Sequence, residues 1–245
     1  MRTLRLVLAF LIVLACGVPA AHAGPVPAVA TYSANLTVSL TFPVIPLLGV
    51  ASLNDAFLPN AVCLAMGVAG NTSCTNPTSR FAANTLTFTA GPVAGFAGPG
   101  VGFASGVSFG TSETILLTNL TGAPLVVPLM GTYNYSLATT AIGMTSAGAA
   151  VSFQIDERLM LGGMPTTLFS ISDAIVSPPN NSKNVNGNFM VNTMNIPNNG
   201  SLLINIDPFA SGDAKSPTPE PSAFVPLLTL ATAGWLKRKW LSGSK

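Results

Sequence analysis

Apolar and polar residues alternate with a period of two along much of the chain. The longest alternating stretch is 31–42, where apolar residues from Tyr32 to Phe42 share one face and Ser, Thr and Asn occupy the other. Successive side chains of a strand point to opposite sides, so this period is typical of a strand with one buried face. We therefore predict a half-buried β-strand over this stretch.

Similar alternation or short apolar runs recur further along the chain. Strands are predicted at 85–89, 101–109, 114–120, 126–130, 132–137, 149–155, 188–196 and 201–207. Turn residues separate them, including Asn186-Gly187, which is typical of a type I′ hairpin turn. About eight to ten short strands without an amphipathic helix predict an all-β fold, a β-sandwich with jelly-roll or immunoglobulin-like topology.

Composition narrows the classes of function. The 245 residues include 10 Lys and Arg, 8 Asp and Glu and one His. Only 7% are charged, against about 25% in an average domain. Ten basic residues cannot line a track of phosphates, so we expect no nucleic-acid partner. Ser, Thr and Asn supply most of the polarity, which favours an exported β-rich chain.

Residues 1–23 contain the three parts of a secretory signal peptide. Arg2 and Arg5 give a positive start, an apolar run follows, and Ala21 and Ala23 form a small-x-small cleavage site. The apolar run is shorter than the roughly 20 residues that a membrane span needs. We therefore predict export and cleavage after Ala23. The alternative is lipidation at Cys16, whose Val-Leu-Ala-Cys context is similar to a lipoprotein box.

Residues 216–245 have a separate modular character. A Pro-rich linker is followed by the apolar segment 223–236, and a basic tail, 237–245, completes the chain. A helix over the apolar segment would be about 21 Å long, shorter than a hydrocarbon core of about 30 Å. Trp235 and Trp240 lie where interfacial anchors belong. We predict a short transmembrane helix whose basic end stays in the cytoplasm.

A Pro-Glu-Pro motif, an apolar segment and a basic cluster thus follow one another near the C-terminus. Their residues are Pro219, Glu220 and Pro221, then 223–236, then Lys237, Arg238 and Lys239. This order resembles the PEP-CTERM sorting signal of Gram-negative bacteria. The resemblance implies an exosortase-type membrane protease as partner. It also implies a transient stay in the inner membrane before transfer to the cell surface or an exopolysaccharide matrix. The alternative is a permanent membrane anchor that is never cut.

Between these ends, residues 24–215 form the predicted β-sandwich domain. It carries four basic and seven acidic residues, a net charge of −3, and no histidine. Its length suffices for one sizeable core. Cys63 and Cys74 are its two cysteines. An even number in an exported chain predicts a disulfide, here one that closes a short loop.

Candidate chemistry within the domain is sparse. Without histidine, Ser-His-Asp and Cys-His catalysis and the usual zinc sites cannot be built. A glycosidase-like carboxylate pair could come from Glu113, Asp156, Glu157 or Asp173. Asp156 and Glu157 are neighbours near a strand end and point to opposite faces, so they cannot form a pair alone. We interpret Asp156, Glu157 and Arg158 as a solvated strand end with a local Arg–carboxylate contact. No catalytic residue, metal site or cofactor is predicted.

Two further patterns were weighed as binding sites. Asn184, Asn186 and Asn188 alternate like a calcium loop, but they lack the carboxylates that calcium prefers, and a plain hairpin is favoured. The tyrosines occupy positions that we expect to face the core, which leaves a sugar-stacking platform unsupported. Low charge, many hydroxyls and an all-β body favour a structural or adhesive protein, and the PEP-CTERM resemblance implies that it resides at the cell surface or in a matrix. The alternative is a carbohydrate-binding or carbohydrate-active secreted protein.

Overall fold

The structure is a computed structural model that describes residues 28–53, 59–66, 70–98, 102–110 and 113–216. The predicted signal peptide with its cleavage site, and the predicted sorting signal after Ser216, lie outside these ranges and stay predictions. Within the described ranges, no helix has the length and apolar character needed to cross a membrane.

The described residues form thirteen β-strands, more than the sequence predicts. In chain order they are β1 (Val29–Thr41), β2 (Leu48–Ser52), β3 (Pro59–Met66), β4 (Gly70–Cys74), β5 (Thr78–Ala82), β6 (Thr85–Ala97), β7 (Gly102–Gly110), β8 (Glu113–Asn119), β9 (Pro128–Ile142), β10 (Ser146–Leu159), β11 (Thr166–Ser177), β12 (Asn181–Asn192) and β13 (Ser201–Ser216). Strands β2 to β5 and β11 are those that the sequence pattern did not predict.

The strands form two antiparallel sheets. The first sheet has the order β12-β9-β1-β6-β4, and β5 also pairs with β6. The second has the order β11-β10-β13-β7-β3, and β8 pairs with both β13 and β2. Strand β13 has 16 residues, long enough to pair with β10 on one side and with β8 and then β7 on the other. For the described residues, the all-β prediction is confirmed, with two antiparallel sheets.

One hydrophobic core lies between the sheets. Alternate residues of β1, from Ala30 to Leu40, are fully buried, and the residues between them are partly exposed. Strands β6 and β9 add buried apolar residues from the first sheet, and β8, β10 and β13 add them from the second. A buried Leu, Val or Phe contributes about 1.5–3 kcal/mol relative to an exposed one. The half-buried strand predicted at 31–42 is confirmed.

Strand β7 presents its small residues, rather than its large ones, to the core. Phe103, Val107 and Phe109 lie on the outer face of the second sheet, and Gly106 lies inside. A methyl group on Gly106 would come within 2.5 Å of the Val93 Cγ1 and 2.8 Å of the Cys74 Sγ. The close approach of the facing sheet therefore selects small residues at this position.

The predicted hairpin turn at Asn186-Gly187 is wrong. Both residues lie in the middle of β12, where Asn186 pairs with Asn134 and Gly187 pairs with Tyr133. A side chain on Gly187 would overlap the Tyr133 ring. The glycine thus admits an aromatic ring from the neighbouring strand and does not turn the chain.

Candidate functional site

Hydroxyl and amide side chains cover the outer face of the first sheet, which we call the hydroxyl–amide face. They belong to five adjacent strands, and each lies opposite a partner of the same face in the strand register. The members are Thr78 and Arg80 of β5, Thr85, Thr87 and Thr89 of β6, Thr37, Ser39 and Thr41 of β1, Thr132 and Asn134 of β9, and Asn186 and Asn188 of β12.

The register aligns these side chains in rows that run across the strands. One row consists of Arg80, Thr87, Ser39, Thr132 and Asn188, and the next of Thr78, Thr89, Thr37, Asn134 and Asn186. Neighbouring strands lie about 4.8 Å apart, so a row of five spans roughly 19 Å. Two pairs of hydroxyl oxygens are 3.3 Å apart, Ser39–Thr87 in the first row and Thr41–Thr85 next to that row.

Two adjoining grooves lie along these rows. One, of about 510 Å³, also touches Met130 and Met190, and the other, of about 430 Å³, lies nearer Asn134 and Asn186. Both grooves are lined by Ser39, Thr132 and Asn188. Arg80 is the only charged member of the face as defined above. Hydroxyls and amides each donate and accept hydrogen bonds, so the grooves can bind an uncharged polar ligand.

The three asparagines that alternate like a calcium loop lie on β12, the strand that contributes Asn186 and Asn188 to this face. Asn184, Asn186 and Asn188 alternate along the extended β12, where every second residue is about 6.6 Å further on. That spacing spreads their amides along the strand rather than around one ion. In the described part of the chain, no group of three or more His, Cys, Asp and Glu residues could hold a metal ion.

Glu157 is buried, so the interpretation of Asp156, Glu157 and Arg158 as a solvated strand end is wrong for this residue, and Glu113 is buried as well. Glu113 is fully buried, and its Oε1 accepts a hydrogen bond of 2.7 Å from the Ser52 hydroxyl. Glu157 is 3% exposed, and its Oε2 accepts a hydrogen bond of 2.7 Å from the Met194 backbone N–H. Burial raises the pKa of Glu157, and the Met194 hydrogen bond opposes part of that rise.

Asp156 and Glu157 lie on opposite faces of β10, as predicted. Asp156 lies on the outer face of the second sheet, where it accepts hydrogen bonds from the Gln154 amide at 2.8 Å and the Thr167 hydroxyl at 2.7 Å. These two neighbouring carboxylates therefore cannot act together on one substrate.

Asp173 joins the two sheets at one edge of the molecule. It lies on β11 of the second sheet and forms a 2.5 Å ion pair with Lys183 on β12 of the first. The Tyr135 hydroxyl on β9 donates a hydrogen bond to the same carboxylate. The hydrogen bonds from Lys183 and then from Tyr135 lower the pKa of Asp173. Burial, followed by the hydrogen bond to Asp173, raises the pKa of Tyr135 to about 12.

The predicted inward orientation of the tyrosines is confirmed for Tyr32 and Tyr135, which are 2% and 5% exposed. Tyr133 is partly buried and lies 6.2 Å from Phe169, measured between ring centroids. Phe169 in turn stacks on Phe189 at 4.0 Å. The tyrosines thus belong to the packing between the sheets and do not form an exposed stacking platform.

The predicted pairing of Cys63 with Cys74 is confirmed, with a Cα–Cα distance of 5.7 Å. Cys63 lies on β3 in the second sheet, and Cys74 is the last residue of β4 in the first. The bond therefore does more than close the short loop expected from the sequence, because it also ties the two sheets together. It does so at the opposite edge from Asp173 and Lys183.

Comparison with known proteins gives no match for this chain, whether with protein-family models, curated proteins or solved structures. A functional assignment must therefore start from the residues themselves. Among the sites considered above, the hydroxyl–amide face is the one that is both accessible and chemically uniform. The acids and tyrosines named as candidates are instead mostly engaged in the core or between the sheets.

Proposed function

We propose that this protein is an exported, non-enzymatic structural or adhesive protein that binds neutral polysaccharide through the hydroxyl–amide face. The observation that carries the proposal is the alignment of hydroxyls and amides, with Arg80 at the end of one row, in rows about 19 Å long. Sugar hydroxyls donate and accept hydrogen bonds, as do Ser39, Thr132 and Asn188 in the shared part of the grooves. Many weak contacts along a polymer add up through multivalency.

The sequence features at the two ends support delivery of this face to the outside of the cell. A cleaved signal peptide would export the chain, and the PEP-CTERM-like signal would present it to an exosortase-type protease in the inner membrane. The mature protein would then reside at the cell surface or in an exopolysaccharide matrix. The Cys63–Cys74 disulfide supports an oxidising destination of this kind.

The two-sheet architecture also has a place in this proposal. A β-sandwich of jelly-roll or immunoglobulin-like topology is the finer form of the fold that we expect. Its sheets provide broad outer faces on which polar side chains can be displayed without loops. A hydrolase would instead need two carboxylates facing one another across a groove, and the defined members of the hydroxyl–amide face include none.

Affinity electrophoresis in gels that contain a defined polysaccharide tests the binding. We expect at least one neutral polymer from a panel of glucans, galactans and mannans to slow the protein, and acidic alginate to slow it less. Thr132→Ala combined with Asn188→Ala should weaken the binding roughly tenfold, since each lost hydrogen bond contributes about 0.5–1.5 kcal/mol.

The matched control is Ser152→Ala combined with Gln154→Ala, which removes two polar side chains from the outer face of the second sheet. This variant should bind as the unmodified protein does. Binding that is equally weak in both double variants would contradict the assignment to the hydroxyl–amide face. A protein that no neutral polymer retards would contradict the proposed function as a whole.

A further inference from the structure

Strand β12 is a long, regular strand at the edge of the first sheet. Among the described strands, only β9 is hydrogen-bonded to it. Its pairing with β9 runs without a register shift from Asn181 to Asn192, and the strand contains no proline. An edge strand presents unpaired N–H and C=O groups on its outer side, and these can pair with another strand.

The other edge strands have features that hinder pairing with a further strand, and β12 lacks these features. Strands β4 and β5, at the far edge of the first sheet, have five residues each. Strands β2 and β3, in the second sheet, have five and eight residues, against twelve in β12. Strand β11 is long, but its pairing with β10 is interrupted by a register shift between Ile155 and Asp156. Short strands and bulges are ways in which proteins prevent edge-to-edge pairing.

We propose that β12 pairs with β12 of a second copy of this chain, antiparallel and about a two-fold axis at Asn186. A two-fold axis that passes between two edge strands, perpendicular to the sheet and level with Asn186, makes these strands antiparallel. Directly opposite residues then share a face, so Asn186 faces its own copy and Asn184 faces Asn188. Stacked asparagine amides hydrogen-bond to one another in such ladders.

The single charge of β12 favours the antiparallel direction of this pairing. Lys183 lies near the start of the strand, where it is already paired with Asp173. Antiparallel pairing about Asn186 separates the two copies of Lys183 by six residues, roughly 20 Å along the strands. Parallel pairing would place the two lysines side by side, which is unfavourable.

This pairing would extend the hydroxyl–amide face across the two copies, because Asn186 and Asn188 belong to both the face and the edge. The merged surface would be twice as wide and could hold a polymer by more contacts. The self-association itself does not depend on polysaccharide binding. The two proposals can therefore fail separately.

A cysteine at the proposed axis gives a direct test. The full chain with Asn186→Cys, purified in detergent and oxidised mildly, should form a disulfide-linked dimer. A reductant should convert this dimer back to the uncrosslinked chain. The matched control is Thr78→Cys on β5, an exposed position on the same face at the opposite edge. Crosslinking of Asn186→Cys that does not exceed that of Thr78→Cys would overturn the proposed pairing.

Sedimentation equilibrium gives a second test that needs no crosslink. The mass of the unmodified protein should double as its concentration rises. Asn186→Lys should stay monomeric, because two like charges would meet at the axis, and Thr78→Lys should behave as the unmodified protein. Circular dichroism should show that both variants are folded.

Two results of the sedimentation experiment would overturn the proposal: an unmodified protein that is monomeric throughout, and a dimer that Asn186→Lys does not weaken. Each of these two results would contradict the self-association whether or not the protein binds polysaccharide. A dimer that forms as expected but binds no neutral polysaccharide would overturn the proposed function alone.

Discussion

Gly212 on β13 lies against the ring of Tyr32 on β1, across the core from it. A methyl group at Gly212, or at Gly95 on the neighbouring strand, would overlap the ring. A methyl group at Gly106 would lie 3.0 Å from the Tyr32 hydroxyl oxygen. Three glycines from the two sheets thus form a slot that holds one buried aromatic side chain, and this slot fixes how closely the sheets approach.

Gly212→Ala should destabilise the protein by about 1–3 kcal/mol, as overpacking of a core does. Urea denaturation measures the change in the free energy of unfolding. Gly49→Ala is the matched control, because a methyl group there meets Thr118 at an ordinary 3.5 Å. Adding Tyr32→Leu should recover part of the loss, since the smaller side chain vacates the slot. If the double variant loses as much free energy of unfolding as the two single variants together, the methyl group at position 212 does not clash with the Tyr32 ring.

Tyr32→Phe should stabilise the protein by about 1 kcal/mol, because a buried polar group without a hydrogen bond is destabilising. Among the described residues, the Tyr32 hydroxyl has no hydrogen-bond partner. Burial, and then the charge of Asp213, raises its pKa to about 12 from 10.0. Ionisation of Tyr32 therefore leaves stability unchanged below pH 10 and lowers it as the pH rises from 10 towards 12.

Thermal unfolding at neutral and at alkaline pH tests this second prediction. The unmodified protein should lose more stability above pH 10 than Tyr32→Phe does, since phenylalanine does not ionise. A Tyr32→Phe variant that is less stable at neutral pH would show that the hydroxyl has a favourable interaction, and would contradict the prediction.

The alternation at 31–42 was enough to predict which side of β1 is buried, because a period of two is a local property of the chain. The slot around Tyr32 could not be predicted in this way. Gly95, Gly106 and Gly212 are far apart in sequence, and only the facing of two sheets brings them to one ring. Glycines in a sequence indicate turns as readily as close approaches, which explains the error at Gly187.

The hydroxyl–amide face also depends on contacts between distant parts of the chain, which a local sequence pattern does not reveal. Its central strand was visible in the sequence, since Thr37, Ser39 and Thr41 alternate with core residues. Its rows depend on the order and register of five strands, which are non-local. The edge strands β4 and β5 were missed because their sequences, GNTSC and TSRFA, contain too few apolar residues to show an alternation. The burial of Glu113 and Glu157 was missed because charged residues are seldom fully buried.

Asp173→Asn should lower the free energy of unfolding by about 1 kcal/mol at neutral pH. It removes the ion pair with Lys183, whose side chain is 46% exposed, so solvent screens much of the interaction. The pKa of Asp173 is lowered in the folded protein. Its contribution is therefore present above the usual aspartate pKa of about 3.9 and lost as the pH falls further.

Unfolding of this variant and the unmodified protein should be compared at pH 7 and below pH 4. The difference between the two proteins should shrink in acid, where Asp173 itself becomes protonated. Asp213→Asn is the control, because its 3.6 Å pair with Lys215 is more exposed on both sides. That substitution should change stability by less than about 0.5 kcal/mol. Equal effects of the two substitutions would contradict a special role for the Asp173 contact.

Glu157→Gln should raise the stability of the protein at neutral pH. Burial raises the pKa of Glu157, so its contribution is fully present below the usual glutamate pKa of about 4.3 and lost as the pH rises through the folded value. Glutamine removes the buried charge, and its carbonyl oxygen can still accept the hydrogen bond from Met194. The gain should therefore shrink as the pH is lowered towards 4.

Melting temperatures across this pH range measure the gain. Asp156→Asn, which changes the neighbouring carboxylate on the outer face, should give no stabilisation at neutral pH. A Glu157→Gln variant that is less stable than the unmodified protein at pH 7 would indicate that the buried charge itself is favourable, contrary to this prediction.

Reduction of the Cys63–Cys74 disulfide should lower the free energy of unfolding by about 2–3 kcal/mol. The two cysteines are eleven positions apart in the sequence, so the bond mainly restricts a short loop of the unfolded chain. In the folded protein it also joins β3 to β4, and its loss should loosen that edge of the two sheets first. Hydrogen exchange should consequently rise in β3 and β4 more than in β9 and β12.

Replacing both cysteines with serine should reproduce the loss of stability, and a reductant should then have no further effect. Uniform exchange after reduction would mean that the disulfide acts only on the unfolded chain.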